Sequence, residues 1–330
     1  MSGTPAILTN MAFRESRVWS EAVTTICRPG ESPDVLGPLR QAYRLFRHRA
    51  RFDAVVTMGA RPALAYGLLC ALLGRPSRQI LTEIFLDEPR PDSCAWRIKT
   101  ALFRWIARRA TGILTNSSGE VPLLAERFAV PEARLRFVPM YTTISEPARQ
   151  PANDGTVVSI GRTLRDLDTL IAAARLIAAP VVVVAGKQDA LPAHLPPNLR
   201  VLREIPLAEA HGLLSRAAVA VVPLRPSSRS AGQVFFFEAM ALGKPVVATR
   251  TIGTTDYIRD GANGLLVEPG NAPALAAAVN RILQDSTLAV NLSEGALEDC
   301  RNLWLPDHHA RRKLQAINEL WINFAEKYGA

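Results

Sequence analysis

A polar loop that runs into a helix is the segment of this sequence best suited to chemistry. Residues 227–232, SSRSAG, lead into a predicted helix over 233–242 that contains one carboxylate, Glu238. A helix N-terminus offers free backbone N–H groups and the positive end of the helix dipole, which suits a diphosphate. A carboxylate about one and a half turns into that helix can accept hydrogen bonds from both hydroxyls of a ribose. The segment therefore indicates nucleotide binding.

Short apolar runs alternate with helical stretches along the whole chain, and these elements must position the loop. The predicted strands cover 6–9, 54–58, 78–85, 111–116, 135–140, 156–161, 180–186, 199–204, 219–224, 244–249 and 263–268. Runs that are apolar on both faces fit a parallel sheet covered by helices on each side. The alternation predicts an α/β fold with two Rossmann-like, doubly wound domains that face a cleft.

The segment 145–155, SEPARQPANDG, predicts a linker because it is rich in proline and polar residues. It separates a first domain over 1–150 from a second domain over 151–310. The first domain looks abbreviated, since the chain before Ala54 has room for only two short strands and a helix.

Composition excludes several classes of protein. With 330 residues, 48% hydrophobic and 21% charged, the chain is globular. No apolar run near the N-terminus reaches the roughly 20 residues of a membrane helix, and no signal peptide is evident. The four cysteines lie far apart without CxxC pairs, which predicts reduced thiols in a cytoplasmic chain and no zinc site. The dinucleotide-binding motif GxGxxG and the Walker A motif are both absent, which argues against dehydrogenases and P-loop enzymes.

Two motifs after the loop carry a family resemblance. EAMALGKPVVAT (238–249) and NGLLVEPGN (263–271) resemble the C-terminal domain of GT-B glycosyltransferases of the group-1 (family 4) class. GRTLRDLDTLIAAARLI (161–177) extends the resemblance, which covers about residues 107–285. The resemblance implies an enzyme that transfers a hexose from a nucleotide-sugar without a metal or other cofactor. It also implies that the amphipathic helix over 311–330 packs back on the N-terminal domain.

Carried over by position, the resemblance assigns several residues to the donor. It implies that Glu238 binds the nucleotide ribose and that Arg162 binds the donor diphosphate. Arg165 stands near the position of a lysine in the family, and its guanidinium can make the same contact. The backbone amides of Gly232 and Gln233 are expected to meet the phosphates.

One departure from the family affects the donor sugar. Ser230 occupies the position of the first glutamate of the family's pair, a carboxylate that helps to hold the sugar. Because a serine hydroxyl can still make a hydrogen bond, we expect a different sugar rather than none. Lys187 is expected either to line this site or to lie at a helix end.

The second departure lies in the N-terminal domain. Retaining members of the family carry a histidine that faces the donor, whereas His48, in an arginine-rich helix, is the only histidine in residues 1–150. The corresponding strand ends in TEIFLDEPR (82–90), so Glu83, Asp87 and Glu88 are the candidate catalytic residues. A carboxylate there could deprotonate an acceptor hydroxyl directly, as an inverting enzyme requires. Roles as loop charges or helix caps fit each of the three equally, and the stereochemistry stays open.

The positive charge is concentrated in the first half of the chain. The net charge is +9, and residues 1–150 contain 21 Lys and Arg against 13 Asp and Glu. Basic helices edged with aromatic residues bind anionic membrane surfaces without crossing them. Half-buried helices with ordinary charged faces are the alternative, and nucleic acid is disfavoured because no recognition motif accompanies the charge. The predicted membrane-binding residues are Arg40, Arg44, Arg47, Arg51, Arg97, Arg104, Trp105 and Arg108.

These patterns predict a nucleotide-sugar-dependent glycosyltransferase, peripheral at the cytoplasmic face of the plasma membrane. Its acceptor is expected to be lipid-linked or a surface polysaccharide. The alternatives are a GT-B-like sugar-nucleotide epimerase and a non-catalytic membrane-associated homologue. The nucleobase, the sugar, the acceptor and the oligomeric state do not follow from the sequence.

Overall fold

A computed structural model describes residues 4–27, 37–84, 90, 92–152 and 154–328. Within these residues the chain forms two parallel β-sheets of six strands each, flanked by helices. The predicted α/β class with two doubly wound sheets is confirmed. The chain divides into two compact units, Met1–Pro139 together with Asp307–Ala330, and Met140–Pro306.

The first unit contains a sheet with the strand order β2-β1-β3-β4-β5-β6. Its elements in chain order are β1 (Ile7–Thr9), α1 (Arg17–Ala22), β2 (Val23–Thr25), α2 (Gly37–His48), β3 (Ala54–Met58), α3 (Ala60–Leu72), β4 (Gln79–Thr82), α4 (Cys94–Arg109), β5 (Gly112–Thr115), α5 (Glu120–Phe128) and β6 (Leu135–Phe137). β2 is not among the predicted strands. It is a short edge strand whose two threonines are exposed, so it lacks the apolar run that marks the central strands.

The central strands of this sheet are buried on both faces, which explains their continuous apolar sequences. One cluster joins Leu81 of β4 and Ile113 of β5 to Phe103 of α4 and Phe128 of α5. The two phenylalanine rings stack with centroids 6.1 Å apart. The core therefore fixes the strands and leaves their carboxyl ends for polar residues.

The second unit contains a sheet with the strand order β12-β11-β10-β7-β8-β9. Its elements are β7 (Val157–Ile160), α6 (Leu167–Ala174), β8 (Val181–Ala185), β9 (Leu199–Arg203), α7 (Leu207–Arg216), β10 (Val219–Val222), α8 (Gln233–Ala241), β11 (Val246–Thr249), β12 (Leu265–Val267), α9 (Ala272–Gln284) and α10 (Ser286–Leu303). From β7 the chain proceeds to β8 on one side, and from β10 it proceeds to β11 on the other. The neighbouring strands β7 and β10 therefore mark the point where the strand order reverses, which is where ligands bind in open α/β sheets.

The predicted linker over 145–155 is held against the second unit. The Ala148 and Gln150 amides donate to the carbonyls of Ala241 and Leu242, each at 2.9 Å. The Arg301 guanidinium donates to the Pro147 carbonyl at 2.8–3.0 Å. The composition predicts a linker, but the second unit already begins at Met140. The segment over 145–155 is therefore part of the second unit and packs against it.

The last helix, α11 (Pro306–Tyr328), belongs to the first unit from Asp307 onward. Near its start, Asp307 Oδ1 accepts a hydrogen bond of 2.6 Å from Ser16 Oγ, and Ser16 also caps α1. Ile317 and Leu320 are buried, so α11 packs through an apolar face as its periodicity predicts. The C-terminal helix thus returns to the N-terminal unit.

His309 on α11 is fully buried in the first unit. Its Nδ1 donates a hydrogen bond of 2.6 Å to the Pro139 carbonyl, and its ring meets Phe13 edge-on with centroids 5.7 Å apart. Burial, assisted by the positive charge of Lys313, lowers the pKa of His309 to about 3. The folded chain therefore holds this imidazole neutral.

We expect His309 to make the first unit sensitive to acid. Below pH 6.5 the unfolded imidazole binds a proton, whereas the folded one binds it only near pH 3. The free energy of unfolding therefore decreases as the pH is lowered from 6.5 to 3. At pH 5 the cost is about 2 kcal/mol. His309→Gln keeps a donor for the Pro139 carbonyl but cannot titrate, so its urea unfolding should change less between pH 7 and pH 5. The exposed His194→Gln is the control, and equal losses in wild type and H309Q would contradict the assignment.

Candidate functional site

The two segments that the sequence singled out lie at the carboxyl ends of β7 and β10. Residues 161–165 follow β7, and the loop over 225–232 follows β10 and leads into α8. An antiparallel bridge between Arg165 and Leu224 joins the two segments. The structure therefore places both at the strand-order reversal of the second sheet.

α8 begins where the sequence predicts and is buried on nearly all sides. Gly232 precedes it with φ +84°, a left-handed conformation that favours glycine. Ser230 and Gln233, on either side of this turn, are both buried. The first turn of α8 consequently presents its backbone amides next to the Arg165 guanidinium, whose Nη1 lies 3.4 Å from where a Gly232 Cβ would stand.

Glu238 lies on α8 and keeps 12% of its side chain exposed. Its Oε1 accepts a hydrogen bond of 3.0 Å from Thr143 Oγ1. Its Oε2 lies 3.4 Å from His211 Nε2, which makes no hydrogen bond in the described chain, so this contact is electrostatic when the imidazole is protonated. The carboxylate is thus oriented from two sides, and a small part of the side chain remains accessible.

Arg165 is a buried cation without a carboxylate partner in the described residues. Its Nη2 donates 2.7 Å to the Ile160 carbonyl, and its guanidinium carbon lies 5.9 Å from the centre of the Phe235 ring. Gly161 provides the space, because a Cβ at that position would overlap the guanidinium. Burial lowers the pKa of Arg165 to about 10, so it remains charged at neutral pH. A buried charge without a counterion is costly, which indicates an anion-binding position.

Arg162 and Lys187 lie on a more exposed part of the same edge. Arg162 is 70% exposed, and its Nη2 lies 3.7 Å from Glu204 Oε2. The Lys187 amide donates 3.2 Å to Glu204 Oε1, while the Lys187 side chain is exposed. Glu204, which follows β9, thus contacts the Arg162 guanidinium after β7 and the Lys187 backbone amide after β8.

Glu83 follows β4 in the first unit and has a left-handed backbone with φ +52°, which is uncommon for a residue with a Cβ. Its Oε1 lies 3.4 Å from Lys313 Nζ on α11. The Lys313 side chain is 1% exposed, and burial lowers its pKa. Its ammonium also lies 3.6 Å from Met11 Sδ. The candidate carboxylate is therefore tied to a buried lysine, whereas Asp87 and Glu88 lie outside the described residues.

The predicted membrane-binding residues lie on α2 and α4, except Arg51, which lies in the 3-10 turn Arg49–Arg51 that follows α2. On α2, exposed Leu39 and Tyr43 accompany the arginines, while Ala42 and Leu45 are buried. On α4, Ile98 and Trp105 are exposed at 56% and 41%. The exposed predicted residues are Arg40, Arg47, Arg51, Arg97, Arg104, Trp105 and Arg108; Arg44 is half-buried.

Among the described residues no helix has the length and hydropathy needed to cross a bilayer. No group of three or more His, Cys, Asp or Glu side chains in that part of the chain is arranged to hold a metal ion.

Sequence reasoning missed four residues of these sites: Thr143, Glu204, His211 and Lys313. Thr143 and Glu204 belong to a loop and a strand end without a motif. His211 and Lys313 sit on amphipathic helices, where a polar residue normally faces solvent. No local signal marks them, because their contacts join residues far apart in the chain.

Comparison with known proteins agrees with this arrangement. The family model "Glycosyl transferases group 1" matches residues 121–285, half of the chain. A lipopolysaccharide core biosynthesis glycosyltransferase, LpsE, of Rhizobium meliloti is 41% identical over 78 residues, covering 24% of this chain and 23% of the relative. A D-inositol 3-phosphate glycosyltransferase of a Nocardioides species is 34% identical over 114 residues, which cover 34% of this chain and 25% of the relative. These matches span no more than about a quarter of either relative.

A solved structure extends the likeness to nearly the whole chain. Anabaena Alr3699/HepE, crystallised in complex with UDP-glucose, superposes with a TM-score of 0.64 at 16% identity. The alignment covers 98% of this chain and 99% of that one. At this identity the likeness concerns the fold, and it agrees with the two six-stranded parallel sheets. The chain therefore has the GT-B fold and belongs to the group 1 glycosyltransferases.

Proposed function

We propose that the protein transfers a sugar from a nucleotide-sugar donor to a lipid-linked or surface-polysaccharide acceptor at the cytoplasmic face of the membrane. The observation that carries the donor half is the juxtaposition of the buried Arg165 guanidinium, which has no carboxylate partner in the described residues, with the N-terminus of α8 at the strand-order reversal. UDP-glucose in the crystals of Anabaena Alr3699/HepE supports the same class of donor.

In this proposal the second unit binds the donor. Glu238 accepts the ribose hydroxyls, and Arg165 with Arg162 neutralises the diphosphate as the bond to the sugar breaks. The amides of Gly232 and Gln233 add donors from the α8 N-terminus. Lys187 and Ser230 lie nearby and are assigned to the outer phosphate region and the sugar. Arginine side chains and backbone amides neutralise the charge of the diphosphate in this assignment, so transfer is proposed to need no metal or other cofactor.

The first unit binds the acceptor in this proposal. Glu83 lies at the carboxyl end of β4, the edge where parallel sheets place their ligands. Its carboxylate, held by Lys313, is assigned to the acceptor hydroxyl. The arginines and exposed apolar residues of α2 and α4 are assigned to an anionic membrane that presents a lipid-linked acceptor.

A thermal-shift screen over UDP-, GDP-, ADP-, CDP- and dTDP-sugars tests the donor half. One nucleobase class should stabilise the protein, since a ligand at 100 times its Kd adds about 2.7 kcal/mol. The stabilising donor is then incubated alone and with membrane extract. Sugar transfer to extracted lipid or polysaccharide supports the proposal, an epimer formed from the donor alone contradicts it, and no stabilisation by any donor also contradicts it.

A further inference from the structure

A basic pocket lies at the edge of the first sheet opposite to Glu83. Its cavity of about 240 Å³ is bordered by the end of α3, the residues before β4 and the last turn of α4. Gln79, the first residue of β4, lines it, whereas Glu83 follows the last residue of the same strand. Four residue steps along the extended chain separate the two positions by about 13 Å. The pocket is therefore distinct from both carboxyl-edge sites.

Four arginines line this pocket: Arg75, Arg108, Arg109 and Arg134. No Asp or Glu of the described chain is among its lining residues. Across the described ranges, Arg75, Arg108 and Arg109 form no ion pair with a carboxylate. Like charges around one cavity repel each other, so the group favours an anion that satisfies several of them.

Stabilisation of α4 does not account for all of these arginines. Cations near a helix C-terminus interact favourably with the helix dipole. Arg134 already fills this role, since its guanidinium donates to the carbonyls of Ala107 and Arg108, both at 3.2 Å. Arg109 lies 5.7 Å from the Trp105 ring centre, and Arg75 comes from a different segment, after α3. The side chains of Arg75, Arg108 and Arg109 thus surround the cavity with N–H groups that donate no hydrogen bond within the described part of the chain.

The floor of the pocket contains a buried acceptor that also lacks a partner. Gln79 is fully buried, and its Nε2 donates to Thr57 Oγ1 and to the Ala63 carbonyl, each at 2.9 Å. Because a carbonyl can only accept, these bonds fix the amide orientation. Gln79 Oε1 then has no hydrogen-bond donor in the described part of the chain. Buried carbonyl oxygens normally have a partner, and a ligand hydroxyl would supply one here.

From this arrangement we infer that the pocket, defined by Arg75, Arg108, Arg109 and Gln79, binds a phosphate ester that carries a free hydroxyl. The guanidinium groups take the phosphate, and Gln79 Oε1 accepts from the hydroxyl. The volume corresponds to about eight water molecules, enough for a small phosphorylated polyol. Such a group can be a soluble metabolite or a lipid headgroup, and Leu72 and Leu73 beside the pocket are 78% and 54% exposed.

Calorimetry with sn-glycerol 3-phosphate and methyl phosphate tests the soluble source. Glycerol phosphate should bind about fivefold more tightly, since methyl phosphate lacks the hydroxyl for Gln79. Arg75→Glu and Arg109→Glu should each weaken binding at least about tenfold. Arg61→Glu, an exposed charge reversal at the other end of α3, is the matched control. Arg165→Met should leave binding intact, which separates this pocket from the donor site.

Sedimentation with phosphatidylcholine vesicles, with and without phosphatidylglycerol, tests the lipid source. If the ligand is a headgroup, phosphatidylglycerol vesicles should bind R75E more weakly than wild type and R61E, because only the arginines of α2 and α4 then remain to bind the membrane. Leu72→Ser with Leu73→Ser should also weaken this binding. Exposed Leu207→Ser is the control for the leucines. Either source supports the inference. Equal binding by R75E, R109E and R61E in both assays overturns the inference, and so does the absence of binding in both. Binding of the nucleotide-sugar donor by the same variants tests the proposed function separately.

Discussion

Glu238→Ala should weaken binding of the donor nucleotide about 1,000-fold and reduce sugar transfer at least as much. Two hydrogen bonds from ribose hydroxyls to one carboxylate are charge-assisted, and together they are worth about 4 kcal/mol. Thr143 and His211 orient this carboxylate, so the site loses little further order when a ribose binds. Competition by the nucleoside diphosphate of the donor found in the screen measures the effect.

Inorganic diphosphate makes this test specific, because it lacks the ribose. Glu238→Ala should leave the affinity for inorganic diphosphate unchanged while the nucleoside diphosphate loses affinity. Asp168→Asn is the matched control, since Asp168 is an exposed carboxylate on α6, in the same unit. If E238A and D168N bind the nucleoside diphosphate equally well, Glu238 does not contact the ribose.

The sequence could predict the features of the donor site that depend on contiguous residues. The helix predicted over 233–242 is α8, and the glycine before it has the left-handed backbone that its position requires. The strands around it have apolar residues on both faces and were predictable for that reason. The position of Arg165 beside α8 also follows, since both segments end neighbouring strands of a parallel sheet.

Features that depend on long-range packing could not be predicted. Lys313 reads as a surface residue of an amphipathic helix, yet its side chain is buried against Glu83. Thr143 lies just before a segment whose composition suggests a linker, although its side chain bonds to Glu238. The different burial of Arg162 and Arg165 could not be predicted either. The resemblance assigns both to the diphosphate, but only Arg165 is buried. Burial is a property of the packed fold, and one sequence motif does not encode it.

Arg165 combines a cost to folding with a benefit to donor binding. The guanidinium is desolvated, and one carbonyl, that of Ile160, holds its Nη2. Without an anion, this charge is uncompensated in the described chain, so it lowers the stability of the second unit. A diphosphate would supply the missing counterion at a position already ordered by Gly161 and Phe235. Strained or uncompensated groups of this kind persist where function requires them.

Arg165→Met should therefore change stability and donor binding in opposite directions. The unliganded variant should unfold with an unchanged free energy or one about 1 kcal/mol higher, because methionine fills the volume without a buried charge. Its affinity for both the nucleoside diphosphate and inorganic diphosphate should fall about 100- to 1,000-fold, in contrast to E238A. Urea unfolding and calorimetry measure the two effects, with exposed Arg175→Met as the control. A variant that is less stable yet binds inorganic diphosphate normally would show that Arg165 supports the fold and not the donor.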